Sequence, residues 1–345
     1  MNVPGVFYFL LAAMLATYAV LDGFDFGVGI LHLFVAKTDE ERRTVFGAIG
    51  PVWDGNEVWL IASGGVFFFA FPNAYAAALS GLYLPFMIVL WLLVLRGVAI
   101  EFRSQLDHVL WRAAFDTVFA FASTVMALVL GVAYGNLLRG VPLDATGFFQ
   151  EDLFTSSTGR GALDFYTAVI GLFAVVTLAA HGATYLVWKT TGPVQERSKA
   201  WATRLWPVAG TMTVVTTAAT AGAAPDHFST LASRPWLYPL PLLALASAFV
   251  CRQSIHQGHE ARAFAASSTF IVSLLFATAG TLYPVLLRST NDPAFSIDVT
   301  TSSATSSLTL GLAILAPALA IAVSYFAYLY RSFRGKVQPD DHHHY

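Results

Sequence analysis

The sequence predicts an all-α, polytopic integral membrane protein of nine transmembrane helices, and three observations carry that reading. Of its 345 residues 56% are hydrophobic and only 12% charged, with a mean hydropathy of +0.62, far from a soluble domain of this length. Apolar stretches long enough to cross a bilayer recur near 6–36, 51–72, 74–97, 113–138, 161–188, 206–223, 236–252, 263–287 and 308–330. Of the 19 Lys and Arg, all but Arg139, Arg160, Arg234 and Arg288 fall on one set of connections, to which Arg96 is assigned. The positive-inside rule makes that side cytoplasmic, with the N-terminus outside and the C-terminus inside.

The elements follow in order. The first span has no positive n-region and no small-residue cleavage site, so it reads as a retained helix. Thr38-Asp39-Glu40-Glu41 is a capping box that opens a short helix in the first cytoplasmic loop. Only Phe71-Pro72-Asn73-Ala74 joins the second and third spans, which makes them an antiparallel pair. Pro239 and Pro241 lie in the first turns of the seventh span, and 139–160 and 289–307 read as outer loops without periodicity. Asp22-Gly23 in the first span and His181-Gly182 in the fifth form an echo. A single membrane domain over 1–345 would then hold two four-helix bundles, 1–138 and 161–287, a peripheral helix at 308–330 and a tail, 331–345, whose His342-His343-His344 carries no site argument.

Acids inside the apolar segments are the functional lead. Asp22 and Asp25 lie within the first span, and Asp54 and Glu57 open the second. A charged side chain near the bilayer centre costs about 2.5–3.5 kcal/mol on insertion scales, so these acids must be paired, protonated or hydrated. Each pair is spaced i, i+3 and shares a helix face. With His181 at similar depth they suggest a ladder of protonatable groups from the cytoplasm to mid-membrane. Structural readings stand beside this one. Asp54 sits in a first turn, where the helix dipole favours an anion. Trp53 and Asn56 would tie loops together, and Gly23, Gly27 and Gly29 would let helices approach closely. Arg96 and Arg103 flank Glu101 at the inner boundary, where long side chains snorkel or meet an anionic headgroup. Asp116 would pair with Arg112 or a neighbouring arginine, and His32 reads as an interfacial histidine.

Several functions are excluded. Cys251 is the only cysteine, which rules out an internal disulfide and a cysteine-held zinc or iron–sulfur centre. Basic patches are short and juxtamembrane, so no nucleic acid partner is supported. Gly27-Val28-Gly29 follows no strand and is no nucleotide fingerprint. Haem ligation needs His, Met, Cys or Tyr at depth. Only His181 lies deep, Met126 reads as packing, and no bis-histidine pair is visible. No cofactor or metal is expected directly on this chain.

In this setting Trp53-Asp54-Gly55-Asn56, the Asp22/Asp25 segment, Gly81-Leu82-Tyr83-Leu84-Pro85 and Glu101-Phe102-Arg103 resemble subunit II of the cytochrome bd family of quinol oxidases. So do Gly135-Asn136 with Gly140-Val141-Pro142, His181-Gly182-Ala183, and Tyr283-Pro284 with Ser289-Thr290-Asn291-Asp292-Pro293-Ala294. The resemblance spans nearly the whole chain. It implies a terminal oxidase of the bacterial cytoplasmic membrane that oxidises quinol and reduces oxygen to water. Haems b and d and the quinol site would belong to a larger subunit I, with this chain its haem-free partner. Small single-helix subunits, membrane lipids and a structurally held quinone join some members. Asp54 matches the family position at the subunit interface beside a proton channel. Some relatives carry glutamine at the position of Glu57. Two other functions stay open: an assembly scaffold with no proton role, and a proton-coupled secondary transporter.

Overall fold

The computed structural model describes residues 2–149, 153–154, 161–303 and 307–337. Nearly all are helical. α1 (Val3–Val35) is started by Asn2, whose side chain accepts from the Gly5 amide, with Pro4 in the first turn. α2 (Asp39–Ile49) carries the expected capping box, Thr38 and Glu41 bonding reciprocally. α3 (Trp53–Ala70), α4 (Pro72–Gly81), α5 (Tyr83–Phe102) and α6 (Val109–Arg139) follow, then α7 (Phe165–Lys189) and α8 (Gly192–Ala223). The chain continues through α9 (Asp226–Ser233), α10 (Pro239–His256) and α11 (Glu260–Leu282) to a hairpin of β1 (Val285–Leu287) and β2 (Ile297–Asp298), and ends on α12 (Leu308–Ser332).

Seven helical segments are long and apolar enough to cross a membrane: α1, α5, α6, α7, Pro235–His256, α11 and α12. The chain is therefore a multi-pass membrane protein. α3 and α8 are long as well but more polar. α1 is the central strut, packing on α3, α6, α7 and α11, while α5 packs on α6, and α8 and α10 complete the side around α7 and α11.

The span expected near 206–223 begins earlier, at Gly192, and three other sequence boundaries move, each for a local reason. The segment 74–97 is two helices, α4 and α5, broken at Leu82. Pro85 has no amide to give to the Gly81 carbonyl, and its ring would clash there. α5 then runs on to Phe102, six residues past Arg96, so Arg96 lies inside a helix and not in a connection. The segment 263–287 stops being helical at Leu282, where Tyr283-Pro284 ends α11 and the chain turns into the β1/β2 hairpin. Pro239 and Pro241, by contrast, sit in the first turn of α10, where missing amides cost nothing.

The outer-loop segments fasten each other. The Val141 amide donates to the Arg288 carbonyl and the Thr290 amide to the Val141 carbonyl, both at 2.9 Å. Asn291 Nδ2 donates to the Pro142 and Leu143 carbonyls at 3.1 and 3.2 Å. Gly140 makes this crossing possible, with φ +94 and a position where any Cβ would lie 2.9 Å from the Arg288 carbonyl oxygen. The tail residues 338–345 lie outside the described residues. Before them, Lys336 pairs with Glu260, and the Val337 amide donates to the Lys189 carbonyl at 2.8 Å.

At the same end α2 is clamped to α8. Arg197 forks onto Glu41, both bonds 2.8 Å, and this bidentate contact holds the Glu41 carboxyl at about 2 instead of 4.5. A carboxyl held low contributes stability that is complete above its unfolded value and is lost as pH falls from 4.5 towards about 2. Thermal unfolding of the purified protein over that window is expected to show a fall that Arg197→Leu removes; an unchanged acid slope in the variant would count against the clamp.

Candidate functional site

One acid of α1 and one of α3 are gathered on a single cation. Arg96 Nη1 of α5 lies 2.6 Å from Asp22 Oδ1, and its Nη2 donates to Glu57 of α3. Asp22 and Arg96 are fully buried, while Glu57 keeps a fifth of its side chain exposed. The guanidinium also lies 4.4 Å from the centre of the Phe26 ring, which adds a cation–π contact in a low-dielectric setting. Asp25 is buried beside them but touches no cation. It accepts one bond from Asn56 Nδ2 at 2.8 Å, and its Oδ1 has no hydrogen-bond partner among the described residues. Asn56 is itself used fully: it donates to the Leu21 carbonyl at 3.3 Å and accepts from Tyr330 Oη at 2.8 Å. One guanidinium thus stands against three carboxyl groups, Asp22, Asp25 and Glu57. Burying the surplus negative charge unpaired would be costly.

This corrects the reading of Arg96 as a snorkelling residue. Its side chain turns inward because two carboxylates offer a partner that lipid headgroups would have to compete with. Arg103 is corrected likewise. It is 1% exposed and binds Asp116 through Nε at 2.6 Å and Asp39 through Nη2 at 2.8 Å. Asp116 does not pair with Arg112, which takes Asp39 and Asp107 instead. Its partners are Arg103, Arg42 and His32, the last through Nε2 at 2.7 Å. His32 is accordingly buried between Phe46 and Phe119 and is not interfacial. This second cluster ties α1, α2, α5 and α6 together at the α2 end.

The remaining predicted residues take different places. Asp54 is exposed on the surface of α3 and joins neither cluster. Glu101 is exposed at the end of α5, and its carbonyl accepts from Gln105 Nε2 at 3.4 Å. Trp53 is buried, its ring edge against Gly97 of α5. His181 is buried one helix away from the acids, with Nδ1 2.8 Å from Ser267 Oγ and Nε2 donating to the Val20 carbonyl at 2.9 Å. The ladder is therefore split, with Asp22, Asp25 and Glu57 together and Asp54 and His181 apart. Gly27 meets Gly182 of α7 backbone to backbone, Gly29 meets Ser123 of α6, and Gly23 meets the tip of Leu178 and, farther off, the His181 ring. Sequence reasoning missed Arg96 as the counter-ion, Tyr330 as the partner of Asn56, and buried His227, which bonds Thr281 and the Leu138 carbonyl.

Two of the buried histidines have no ring nitrogen left for a haem iron. His181 and His227 each have both ring nitrogens engaged, whereas His32 binds Asp116 through Nε2 and its Nδ1 has no hydrogen-bond partner among the described residues. The His32 ring is packed between Phe46 and Phe119, and Met126 is fully buried among apolar neighbours.

Known proteins agree with the architecture. The model of the cytochrome bd terminal oxidase subunit II family matches residues 3–333. Cytochrome bd ubiquinol oxidase subunit 2 of Bacillus subtilis (strain 168) is 38% identical over 203 residues, 59% of this chain and 58% of that protein. Cytochrome bd-I ubiquinol oxidase subunit 2 of Escherichia coli (strain K12) is 39% identical over 197 residues, 57% of this chain and 52% of that protein. The chain thus spans little more than half the length of these two relatives. A probable cytochrome oxidase subunit 2 of Haemophilus influenzae is 29% identical over 361 residues, covering 94% of this chain and 92% of that one. The solved bd oxidase from Geobacillus thermodenitrificans shares the fold, with a TM-score of 0.76 over 96% of this chain and 99% of that chain at 17% identity. With a match that runs from the first turn of α1 to the end of α12, the chain belongs to the cytochrome bd terminal oxidase subunit II family.

Proposed function

We propose that this chain is the haem-free subunit II of a bd-type quinol oxidase in a bacterial cytoplasmic membrane, crossing it nine times with the N-terminus outside. It packs against a haem-bearing subunit I, where haems b and d reduce oxygen to water, and it helps carry the required protons from the cytoplasm. Family membership supports the oxidase reading. The observation that carries the proton role is the imbalance of three carboxyl groups, buried Asp22 and Asp25 and part-exposed Glu57, against one guanidinium, Arg96, with an exposed carboxylate, Asp54, on the same helix as Glu57. Around Asp54 and beyond it, Val58 and Ile61 of α3 and Trp91 and Val94 of α5 expose apolar area. A partner subunit covering that face would bring its own groups against Asp54, which would receive protons from the cytoplasmic side and hand them across.

The second reading, an assembly scaffold, has one observation in its favour: Arg96 already satisfies Asp22 and Glu57 without any need for transport. Asp54→Asn separates the two. In the assembled oxidase with full haem content, this variant is expected to slow oxygen consumption by about tenfold or more. Wild-type turnover per haem would remove Asp54 from the path and leave the scaffold. A structural lipid or quinone and small single-helix subunits would be read from the same preparation by mass spectrometry.

A further inference from the structure

α12 is the least embedded helix of the fold. Only Leu308, at its start, is buried. Yet its other end reaches the acid cluster. Phe326 packs on Trp59 with ring centres 5.5 Å apart, and Tyr330 donates its hydroxyl to Asn56 Oδ1 at 2.8 Å. The residues after the helix strap this end down: Lys189 Nζ donates to the Phe333 carbonyl at 2.6 Å, and Lys336 pairs with Glu260.

The bond direction is forced. Asn56 uses both amide hydrogens on acceptors, the Asp25 carboxyl and the Leu21 carbonyl. Its Oδ1 can therefore only accept, and Tyr330 must donate. Turning the amide over would set its oxygen against two other oxygens, so the Leu21 carbonyl and the Asp25 carboxyl fix its orientation. In that orientation the Tyr330 hydroxyl donates to the amide oxygen, which polarises the amide and strengthens the bond it donates to Asp25. Asp25 is the one acid of the cluster without a cation, and this is the one hydrogen bond it receives among the described residues.

We infer that Tyr330 is a positioning residue for proton transfer: by donating to the Asn56 amide oxygen it sets how readily the Asp25 carboxyl releases and regains its proton. This rests on the proton role proposed above. The titratable groups facing Asp25 are Asp22 on α1, Glu57 on α3, Arg96 on α5, Tyr185 on α7 and Tyr330 on α12. Without the Tyr330 hydroxyl the amide is less polarised and donates more weakly to an ionised Asp25. That favours the acid form, so the proton is released only at higher pH.

The test uses the oxidase purified with its haem-bearing partner, with rates expressed per haem so that lost assembly does not enter. Tyr330→Phe is expected to slow oxygen consumption roughly three- to tenfold, the worth of one neutral hydrogen bond. The acidic limb of its pH–rate profile moves to higher pH by about half to one unit. A monofluorinated tyrosine at 330, a stronger donor of the same shape, moves that limb to lower pH. Tyr328→Phe, on the same helix but 69% exposed, leaves rate and profile unchanged. A Tyr330→Phe rate that is unaltered, or lowered equally at every pH, would make the residue an anchor only and overturn the inference. Asp25→Asn keeps the two levels apart. Wild-type turnover in that variant sinks the Asp25 proton role itself, whereas a slow Asp25→Asn beside a wild-type Tyr330→Phe sinks only the part assigned to Tyr330.

Discussion

Arg96→Leu is expected to prevent assembly of the protein. It leaves Asp22, Asp25 and Glu57 together in a buried site with no cation. Breaking a buried ion pair by removing one partner costs about 3–5 kcal/mol, because the remaining charge keeps its desolvation penalty and loses its compensation. That is a large share of the 5–15 kcal/mol by which proteins are stable. The loss is not confined to charge, since the guanidinium also packs on Phe26 and spans α1, α3 and α5. Arg96→Lys should rescue only in part: an ammonium is a point charge on a single stem and cannot present two nitrogens to two carboxylates in one plane. The sharper check is the triple variant Arg96→Leu, Asp22→Asn, Glu57→Gln. Removing both charges of a buried pair is often close to neutral, so this variant should recover yield and thermal stability in detergent while the single variant does not. If Arg96→Leu alone is as abundant and as stable as wild type, the cluster is not held together by this cation.

How far the sequence reveals this site depends on where each partner lies. The acids are legible because charge inside an apolar run has no ordinary explanation, and the same logic finds α1 and α3. The counter-ion is not. Hydropathy falls at the end of the third span, which places Arg96 with the loop cations, whereas α5 continues for six more residues and buries it. Arg103 and His32 are hidden in the same way, since a residue near a membrane boundary looks the same from the sequence whether it turns outward to headgroups or inward to Asp116. Tyr330 stands 274 positions from Asn56, and nothing local to either marks the bond. Asp54 is the reverse case. Its position in a first turn is legible, but its exposure is decided by which face of α3 the rest of the bundle covers. The capping box of α2 and the prolines of α10 are local signals, and the fold uses each of them locally.

The glycines of α1 carry the other large expected effect, and they are not equivalent. A Cβ on Gly27 would lie 1.9 Å from the Leu178 carbonyl oxygen and 2.7 Å from the Gly182 amide nitrogen, all backbone atoms that cannot rotate away. Gly27→Ala must therefore push α1 off α7, and overpacking of this kind costs about 3 kcal/mol. Gly182→Ala meets the Gly27 carbonyl carbon at 2.3 Å and should cost as much. A Cβ on Gly29 meets Ser123, a side chain, and one on Gly23 meets the flexible tip of Leu178 at 3.0 Å and the His181 ring at an ordinary 4.0 Å, so stability should be retained in the order Gly23→Ala, Gly29→Ala, Gly27→Ala. The consequence reaches the acids, because the same contact holds the neighbouring Phe24–Tyr185 stack, with ring centres 3.9 Å apart, and the bond from His181 to the Val20 carbonyl. Prising α1 from α7 moves Asp22 and Asp25 relative to Arg96, which is fixed on α5. Gly27→Ala is thus expected to lose yield and thermal stability together with oxygen consumption, while Gly23→Ala keeps all three near wild type. Equal behaviour of these two variants would mean that α1 and α7 do not pack backbone to backbone in the membrane, and the depth assigned to every acid on α1 would have to be drawn again.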